Sequence, residues 1–97
     1  MNDKKASSPQ FPLGMICCTP GALLELLQLG VPGARLLERH VCGDFGKLAE
    51  EDVALNHEAI KSGGRVFSCF EIGPDVKVYV ITEADRSATT LLLPSEY

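Results

Sequence analysis

Hydrophobic and polar residues follow two periodicities along this chain, one typical of helices and the other of strands. Residues 20–29 and 32–41 carry apolar residues at helical spacing, with a proline at the start of each segment and a glycine after its end. A third helix is predicted over 49–62, where three acidic residues come early and two glycines follow. The pattern therefore predicts three helices in the first two thirds of the chain.

The last third of the chain is rich in β-branched and aromatic residues and is divided by turn signals. Strands are predicted over about 65–72, 77–83 and 87–93, and these would form a three-stranded antiparallel meander. A short N-terminal strand is predicted at 13–17. The pattern indicates an α+β fold in which the helices cover one face of the meander. The other face is also substantially apolar, so we expect a partner or the N-terminal segment to cover it.

The N-terminal residues are polar and contain Ser-Ser-Pro. We therefore predict a flexible leader over 1–10 and one small α+β domain over 11–97. A chain of 97 residues can bury one core but has little material for a deep cleft. No segment has the length of a membrane span or the pattern of a secretory signal, which favours a cytoplasmic protein that does not enter a membrane.

Charge and cysteine spacing narrow the classes of function. The formal net charge is -4, and no cluster of basic residues occurs beyond Lys4-Lys5, so direct binding to nucleic acid is disfavoured. The four cysteines lack the paired spacing of a zinc site and are typical of a reducing compartment. Signatures of phosphate-binding loops and of hydrolase nucleophiles are absent. The sequence therefore predicts no metal site and no cofactor.

The first group of candidate residues lies across the end of the second predicted helix. His40 is one turn beyond Leu36, so its ring could lean on the core while a nitrogen meets the carboxylate of Asp44. That arrangement, with Arg39 beside it, would raise the pKa of His40 and suit acid-base chemistry. Alternatively, His40 stabilises the C-terminus of its own helix through the helix dipole.

A second pair of candidates lies on the third predicted helix. Asp52 and Asn56 fall within the apolar arc that Val53, Leu55 and Ala59 define on a helical wheel. Polar groups persist on a buried face only when they are hydrogen-bonded. We therefore expect these two residues to fasten the preceding Gly-Asp-Phe-Gly loop, or another backbone segment, to the helix.

The third group is the tip of the predicted hairpin between the last two strands. Asp85 can accept hydrogen bonds from nearby backbone N–H groups, and Arg86 can pair with Glu83 across the hairpin. These local interactions would explain the charges without a ligand. However, the turn has neither Gly nor Asn at a position that would need a positive φ, and such exceptions are more common at functional or strained sites.

The segments "RHVCGDFGKLAEED" and "ITEADRSATTLLLPSEY" carry a resemblance to known sequences. Through them, residues 37–97 resemble a family of small bacterial proteins carried on plasmids, integrative elements and phages. Members are commonly labelled plasmid-related, or mislabelled as restriction-modification subunits, and many have Trp where this chain has Phe45. The resemblance implies that eight polar residues belong to one constellation: His40, Asp44, Asp52, Asn56, Arg65, Glu83, Asp85 and Arg86.

Three functions are compatible with these observations. The first is an accessory protein of a mobile genetic element that binds a protein partner and would interfere with a host defence complex of the restriction or CRISPR type. Its binding residues would be Arg39, Asp52, Asn56, Arg65 and Arg86. The second is a small metal-assisted hydrolase or nuclease that uses His40 with Asp44, Glu83 and Asp85. The third is a structural homodimer. The lack of catalytic signatures favours the first over an enzyme.

Overall fold

The computed structural model describes residues 8–97, and within that range the chain has three helices and one four-stranded sheet. The elements in chain order are β1 Met15–Cys18, α1 Pro20–Leu29, α2 Gly33–Val41, α3 Glu50–Ser62, β2 Val66–Gly73, β3 Val76–Thr82, β4 Ala88–Leu92 and a 3₁₀ turn Pro94–Glu96. Most of the predicted leader over 1–10 lies outside the described residues. Residues 8–10 are exposed and have no regular secondary structure.

The sheet is mixed, with the strand order β1-β4-β3-β2. The predicted antiparallel pairings of β2 with β3 and of β3 with β4 are confirmed. The description of the sheet as three-stranded and antiparallel is wrong, because β1 joins it in parallel with β4, with Met15 opposite Ala88. The two strands of that pair lie near opposite ends of the sequence, and no local pattern records such a pairing.

The start and stop signals of α1 act as the sequence predicts. The Thr19 hydroxyl caps the helix by accepting a hydrogen bond from the Ala22 N–H at 3.2 Å, and Gly30 ends it with a φ of +68°. A second cap comes from Glu96, whose carboxylate accepts hydrogen bonds from the Thr19 hydroxyl and from the Gly21 N–H. The N-terminus of α1 is therefore held from the far end of the chain.

The helices pack on one face of the sheet through two apolar clusters. The first cluster comprises Leu26, Leu36, Phe70, Val78, Val80 and Leu91. The second cluster comprises Phe11, Val41, Phe45 and Val66, with side chains of α3 packed against it. Three buried polar residues of the sheet, Ser68, Thr82 and Thr89, contact one another or the buried His40.

The opposite face of the sheet is covered in part by the C-terminus. The ring of Tyr97 packs edge-on against Tyr79 at a centroid distance of 6.0 Å, and Tyr79 packs in the same way against Phe67 at 4.8 Å. The C-terminal residue thus contributes to a surface for which the sequence predicted a partner or the N-terminal segment.

The apolar face predicted for α1 is only half buried. Ala22 and Leu26 are in the interior, whereas Leu23, Leu24 and Leu27 are exposed. In the described part of the chain, no helix has the length and apolar character needed to cross a membrane.

Candidate functional site

His40 is completely buried under the sheet, and both of its ring nitrogens are hydrogen-bonded within the protein. Nδ1 lies 2.6 Å from the Ser68 hydroxyl, and Nε2 lies 2.9 Å from the Thr82 hydroxyl. Neither nitrogen bonds a carboxylate within residues 8–97, so the pairing with Asp44, one of the two alternatives drawn from the sequence, is not formed. Burial lowers the pKa of His40 to about 4, whereas that pairing would have raised it.

The proton positions in this chain of hydrogen bonds follow from its far end. The Thr89 hydroxyl donates to the Leu13 carbonyl at 2.7 Å, so its oxygen must accept the proton of the Thr82 hydroxyl, also at 2.7 Å. The Thr82 hydroxyl group has one proton, which it donates to Thr89. Its oxygen therefore accepts the hydrogen bond from Nε2–H of His40. Nδ1 accepts the proton of Ser68. The neutral ring is fully bonded, and neither nitrogen is left for a substrate.

Asp44 holds the loop that follows α2. One carboxylate oxygen is 2.7 Å from Nε of Arg39, and the other accepts a hydrogen bond from the Gly46 N–H at 3.1 Å. The hydrogen bond from Arg39 is the main reason why the pKa of Asp44 lies below its ordinary value. Both partners of the ion pair are about half exposed.

The loop held by Asp44 runs along the outer edge of β2. The Cys69 N–H donates to the Phe45 carbonyl at 3.0 Å, and the Lys47 N–H donates to the Cys69 carbonyl at 2.7 Å. Gly46 has a φ of +73° here, and a side chain at this position would collide with the Cys69 carbonyl. The loop therefore pairs with part of an edge strand that would otherwise be open.

Asn56 fastens the neighbouring part of the same edge. Its amide nitrogen donates to the Phe67 carbonyl at 2.7 Å, and its amide oxygen accepts from the Phe67 N–H at 3.0 Å. The side chain thus imitates a neighbouring strand. The fastening expected for Asn56 is made to β2, whereas Asp52 is exposed and has no side-chain hydrogen bond or ion pair within residues 8–97.

Arg86 fastens the hairpin tip to the end of α3. Its guanidinium donates to the carbonyls of Gly64 at 2.6 Å, Ala59 at 3.0 Å and Glu83 at 3.1 Å. It also lies 5.5 Å from the centre of the Phe11 ring. Arg86 is a non-glycine residue with a φ of +63°, so the exception seen in the sequence is a strained turn held by these contacts.

The two acidic residues of the hairpin tip have separate partners. Asp85 accepts a hydrogen bond from the Ser87 N–H at 3.0 Å, and hydrogen bonds from Ser87 keep its pKa below the ordinary value. The Glu83 carboxylate lies 3.9 Å from Arg65, whereas Arg86 bonds only the backbone carbonyl of Glu83. The side-chain pairing expected between Arg86 and Glu83 is therefore replaced by a pairing with Arg65.

Three members of the predicted set, Asp52, Asn56 and Arg65, lie around one groove, which we call the aromatic groove. It has a volume of about 380 Å³ and is lined by Leu48, Asp52, Leu55, Asn56, Arg65, Phe67, Tyr79 and Tyr97. Phe67 and Tyr79 come from the outer sheet face, and the Tyr97 hydroxyl accepts a hydrogen bond from Arg65 at 3.1 Å. The groove combines aromatic rings with a carboxylate and a guanidinium.

Sequence reasoning missed four apolar and aromatic members of the groove: Leu48, Phe67, Tyr79 and Tyr97. Leu55 was assigned to the buried side of α3 but is exposed. The alternation along β2 and β3 places Phe67 and Tyr79 on the face away from the helices, which was an available signal. Nothing in the sequence indicated that Tyr97 would fold back against them.

The four residues of the alternative hydrolase or nuclease are not bonded to one another in the structure. Within residues 8–97, no hydrogen bond or ion pair links any two of His40, Asp44, Glu83 and Asp85. The same range contains no group of three or more His, Cys, Asp or Glu residues arranged to hold a metal ion. Comparison of the chain with models of protein families, with curated proteins and with solved structures found no match.

Proposed function

We propose that this protein is an accessory protein of a mobile genetic element and that its aromatic groove binds a protein partner. The observation that carries the proposal is the composition of the groove. Exposed Leu55 and Tyr97 flank aromatic rings, next to the Asp52 carboxylate, which has no side-chain hydrogen bond or ion pair within residues 8–97. Most other predicted polar residues are occupied by contacts within the fold. The exposed predicted polar residues that line the groove are therefore the ones available to contact another molecule.

Its chemistry suits protein recognition. Tyrosine and arginine are enriched at the energetically important positions of protein interfaces, because each combines a large contact area with a polar end. Arg65 and Tyr97 already hold each other at 3.1 Å, so binding would immobilise few additional bonds. The hydrogen bonds between Asn56 and Phe67 hold α3 against β2 where the two elements line the groove.

The charges around the groove favour a particular kind of partner segment. Arg65 is balanced by Glu83, whereas Asp52 forms no ion pair with any residue of 8–97, and the whole chain carries a net charge of -4. A large apolar side chain next to a lysine or arginine would fill the groove and pair with Asp52. We therefore propose a partner that presents an apolar residue with an adjacent basic one.

The biological setting of the proposal rests on the resemblance to small proteins of plasmids, integrative elements and phages. In that setting the partner would be a subunit of a host defence complex of the restriction or CRISPR type, met in the cytoplasm. An enzymatic role for His40 with Asp44, Glu83 and Asp85 draws no support from their separate positions.

Comparative capture from a bacterial host lysate tests the proposal. Immobilised wild-type protein should retain a partner that Asp52→Lys and Tyr97→Ala lose by about tenfold or more, because these changes reverse the rim charge and remove an aromatic contact. A photo-crosslinking residue in place of Leu55 should form a covalent adduct with the same partner.

Glu51→Lys is the matched control, since Glu51 also lies in the first turn of α3 but does not line the groove. This variant makes the same change in charge and should retain the partner. Equal retention by the groove variants and by the control would contradict the proposal, as would the absence of any crosslinked protein.

A further inference from the structure

We propose that two copies of this chain associate through the open edge of β1, forming one continuous eight-stranded sheet. The proposal rests on residues at the opposite end of the sheet from the aromatic groove and is independent of the function proposed for it. Three features of the structure support the proposal. They are the outward-facing backbone groups of β1, the uncharged lining of the apolar depression beside β1, and a register in which β1 can pair with β1 of a second copy.

The outer edge of β1 has backbone groups available for pairing. β1 is the last strand in the sheet order, and the N–H groups of Met15 and Thr19 point inward to the carbonyls of Ser87 and Leu91. Because successive residues of a strand point their backbone groups to opposite sides, those of Ile16 and Cys18 point outward. The opposite edge of the sheet, in β2, is occupied by Asn56 and the loop after α2.

An apolar depression of about 320 Å³ lies beside this edge. It is lined by Ile16, Cys18, Leu23, Leu26, Leu27, Val31, Pro32, Gly33, Ala34, Leu37 and Leu91, none of which carries a charge. Its rim includes Ile16, Leu23 and Leu27, which are all exposed. The chain has a net charge of -4, but none of the residues that line this depression would bring like charges together across the interface.

A two-fold axis through Cys17 gives the register that uses the whole strand. Ile16 of each copy then faces Cys18 of the other, and each such pair exchanges both of its backbone hydrogen bonds. The Cys17 residues face each other as a non-hydrogen-bonded pair, with Cα atoms about 4.5 Å apart, a distance that a disulfide can span. The axis is perpendicular to the sheet, so the exposed leucines of α1 in the two copies lie on the same side and meet.

Oxidative crosslinking tests this register. Copper(II)-phenanthroline, which accepts the two electrons released when two thiols form a disulfide and lose two protons, should convert the wild-type protein into a covalent dimer. Cys17→Ser should abolish the product, whereas Cys18→Ser should retain it. Random collisions would give the opposite preference, because Cys18 is exposed and Cys17 only half-buried.

Sedimentation over a range of concentrations tests the association without any covalent step. The wild-type protein should sediment as a dimer, and Leu27→Lys should weaken the dimer by about tenfold or more, because it buries a charge in the interface. Leu55→Lys is the matched control: the exposed fractions are similar, 70 % for Leu27 and 66 % for Leu55, but Leu55 lies in the aromatic groove. Circular dichroism checks that each variant is folded.

A wild-type protein that sediments as a monomer at all concentrations would overturn the proposal, as would crosslinking through Cys18. The groove variants, which should lose the captured partner, should still form the dimer. Failure of one proposal is therefore distinguishable from failure of the other.

Discussion

At the scale of single residues, the polar side chains that stand out in the sequence mainly satisfy backbone or buried hydroxyl groups. His40 is the clearest case, because a titratable ring is completely buried and bonded to Ser68 and Thr82. Such a group contributes to stability only while it stays neutral. Protonation of the ring would place a proton on Nδ1, which then could no longer accept the hydrogen bond from the Ser68 hydroxyl group. The Ser68 proton would be left without this acceptor.

We predict that His40 makes the stability of the protein depend on pH between about 6.5 and 4. Its pKa is 6.5 ordinarily and about 4 in the fold, so the unfolded chain binds the proton at the higher pH. The contribution of His40 is complete above pH 6.5 and is lost as the pH falls towards 4, a change of about 3 kcal/mol in the free energy of unfolding. Urea unfolding at pH 7 and 4.5 measures it.

His40→Gln should flatten this dependence, because an amide can accept from Ser68 and donate to Thr82 without titrating in this range. His57→Ala, which removes an exposed histidine, should keep the wild-type dependence. An equal loss of stability on acidification in wild type and in His40→Gln would refute the assignment.

Residue-level prediction from the sequence succeeded where a local pattern fixes the partner. The position of Asn56 on the helical wheel correctly indicated a hydrogen-bonded residue that fastens backbone, and Asp85 forms the local turn expected of it. Asp52 has almost the same position on the wheel but is exposed, because a helix that packs at a sheet edge buries only a narrow arc. The partners of His40 come from β2 and β3, and no local signal indicates them.

At the scale of elements, the hairpin between β3 and β4 is joined to α3 by Arg86. The C-terminal carbonyls of a helix have no partners within it and carry partial negative charge, so a guanidinium is an effective cap. Here Arg86 donates to the Ala59 carbonyl, which also accepts from the N–H groups of Gly63 and Gly64, and to the carbonyl of Gly64, just beyond the helix. The strained turn places the Arg86 side chain against the end of the helix.

We predict that the stability of the fold depends on both the guanidinium and the backbone angle of Arg86. Arg86→Ala should lower the free energy of unfolding by about 2–3 kcal/mol, because the carbonyls of Ala59 and Gly64 lose a charged donor. Arg86→Gly should cost about 1 kcal/mol less than Arg86→Ala, because glycine adopts a positive φ without strain. Chemical denaturation of the two variants measures both contributions.

Lys47→Ala provides the comparison with an ordinary surface ion pair. Lys47 lies 3.1 Å from Glu71 and is largely exposed, so its removal should change stability by no more than about 0.5 kcal/mol. If Arg86→Ala were as mild as this control, the hairpin tip would be an ordinary solvated turn.

Element boundaries could be predicted well, and the pairing of elements only in part. Prolines, glycines and the early acidic residues of the third helix correctly indicated the three helices, and turn signals indicated the meander. The parallel pairing of β1 with β4 was not predicted, because adjacent strands in a sheet need not be adjacent in sequence. The sequence predicted an apolar face for α1, but three of its leucines are exposed, since periodicity identifies an apolar face but not what covers it.

At the scale of the whole molecule, contacts between distant parts of the sequence hold the fold together. Glu96 lies next to the C-terminal end of the chain and accepts from both Thr19 and the Gly21 N–H. Hydrogen bonding by Thr19 keeps the pKa of Glu96 below its ordinary value. A side chain at Gly21 would lie 2.6 Å from the Glu96 carboxylate and would displace it from this contact.

We predict that Thr19→Ala lowers the free energy of unfolding by about 1–2 kcal/mol, because it removes the helix cap and the contact with Glu96 together. In a double-mutant cycle with Glu96→Gln, the two changes should be less than additive, since they act on one shared interaction. Ser95→Ala, at an exposed neighbouring position, should leave stability nearly unchanged. Strict additivity in the cycle would show that the two ends are not coupled.

The sheet order determines what the molecule could do as an assembly. Because β1 and β2 form opposite edges of the sheet, the proposed dimer would carry its two aromatic grooves at the outer ends, about 35 Å apart across eight strands. A partner that is itself repeated or two-fold symmetric could then occupy both grooves at once. A weak single contact would become a strong one through avidity, with no additional contact at either groove.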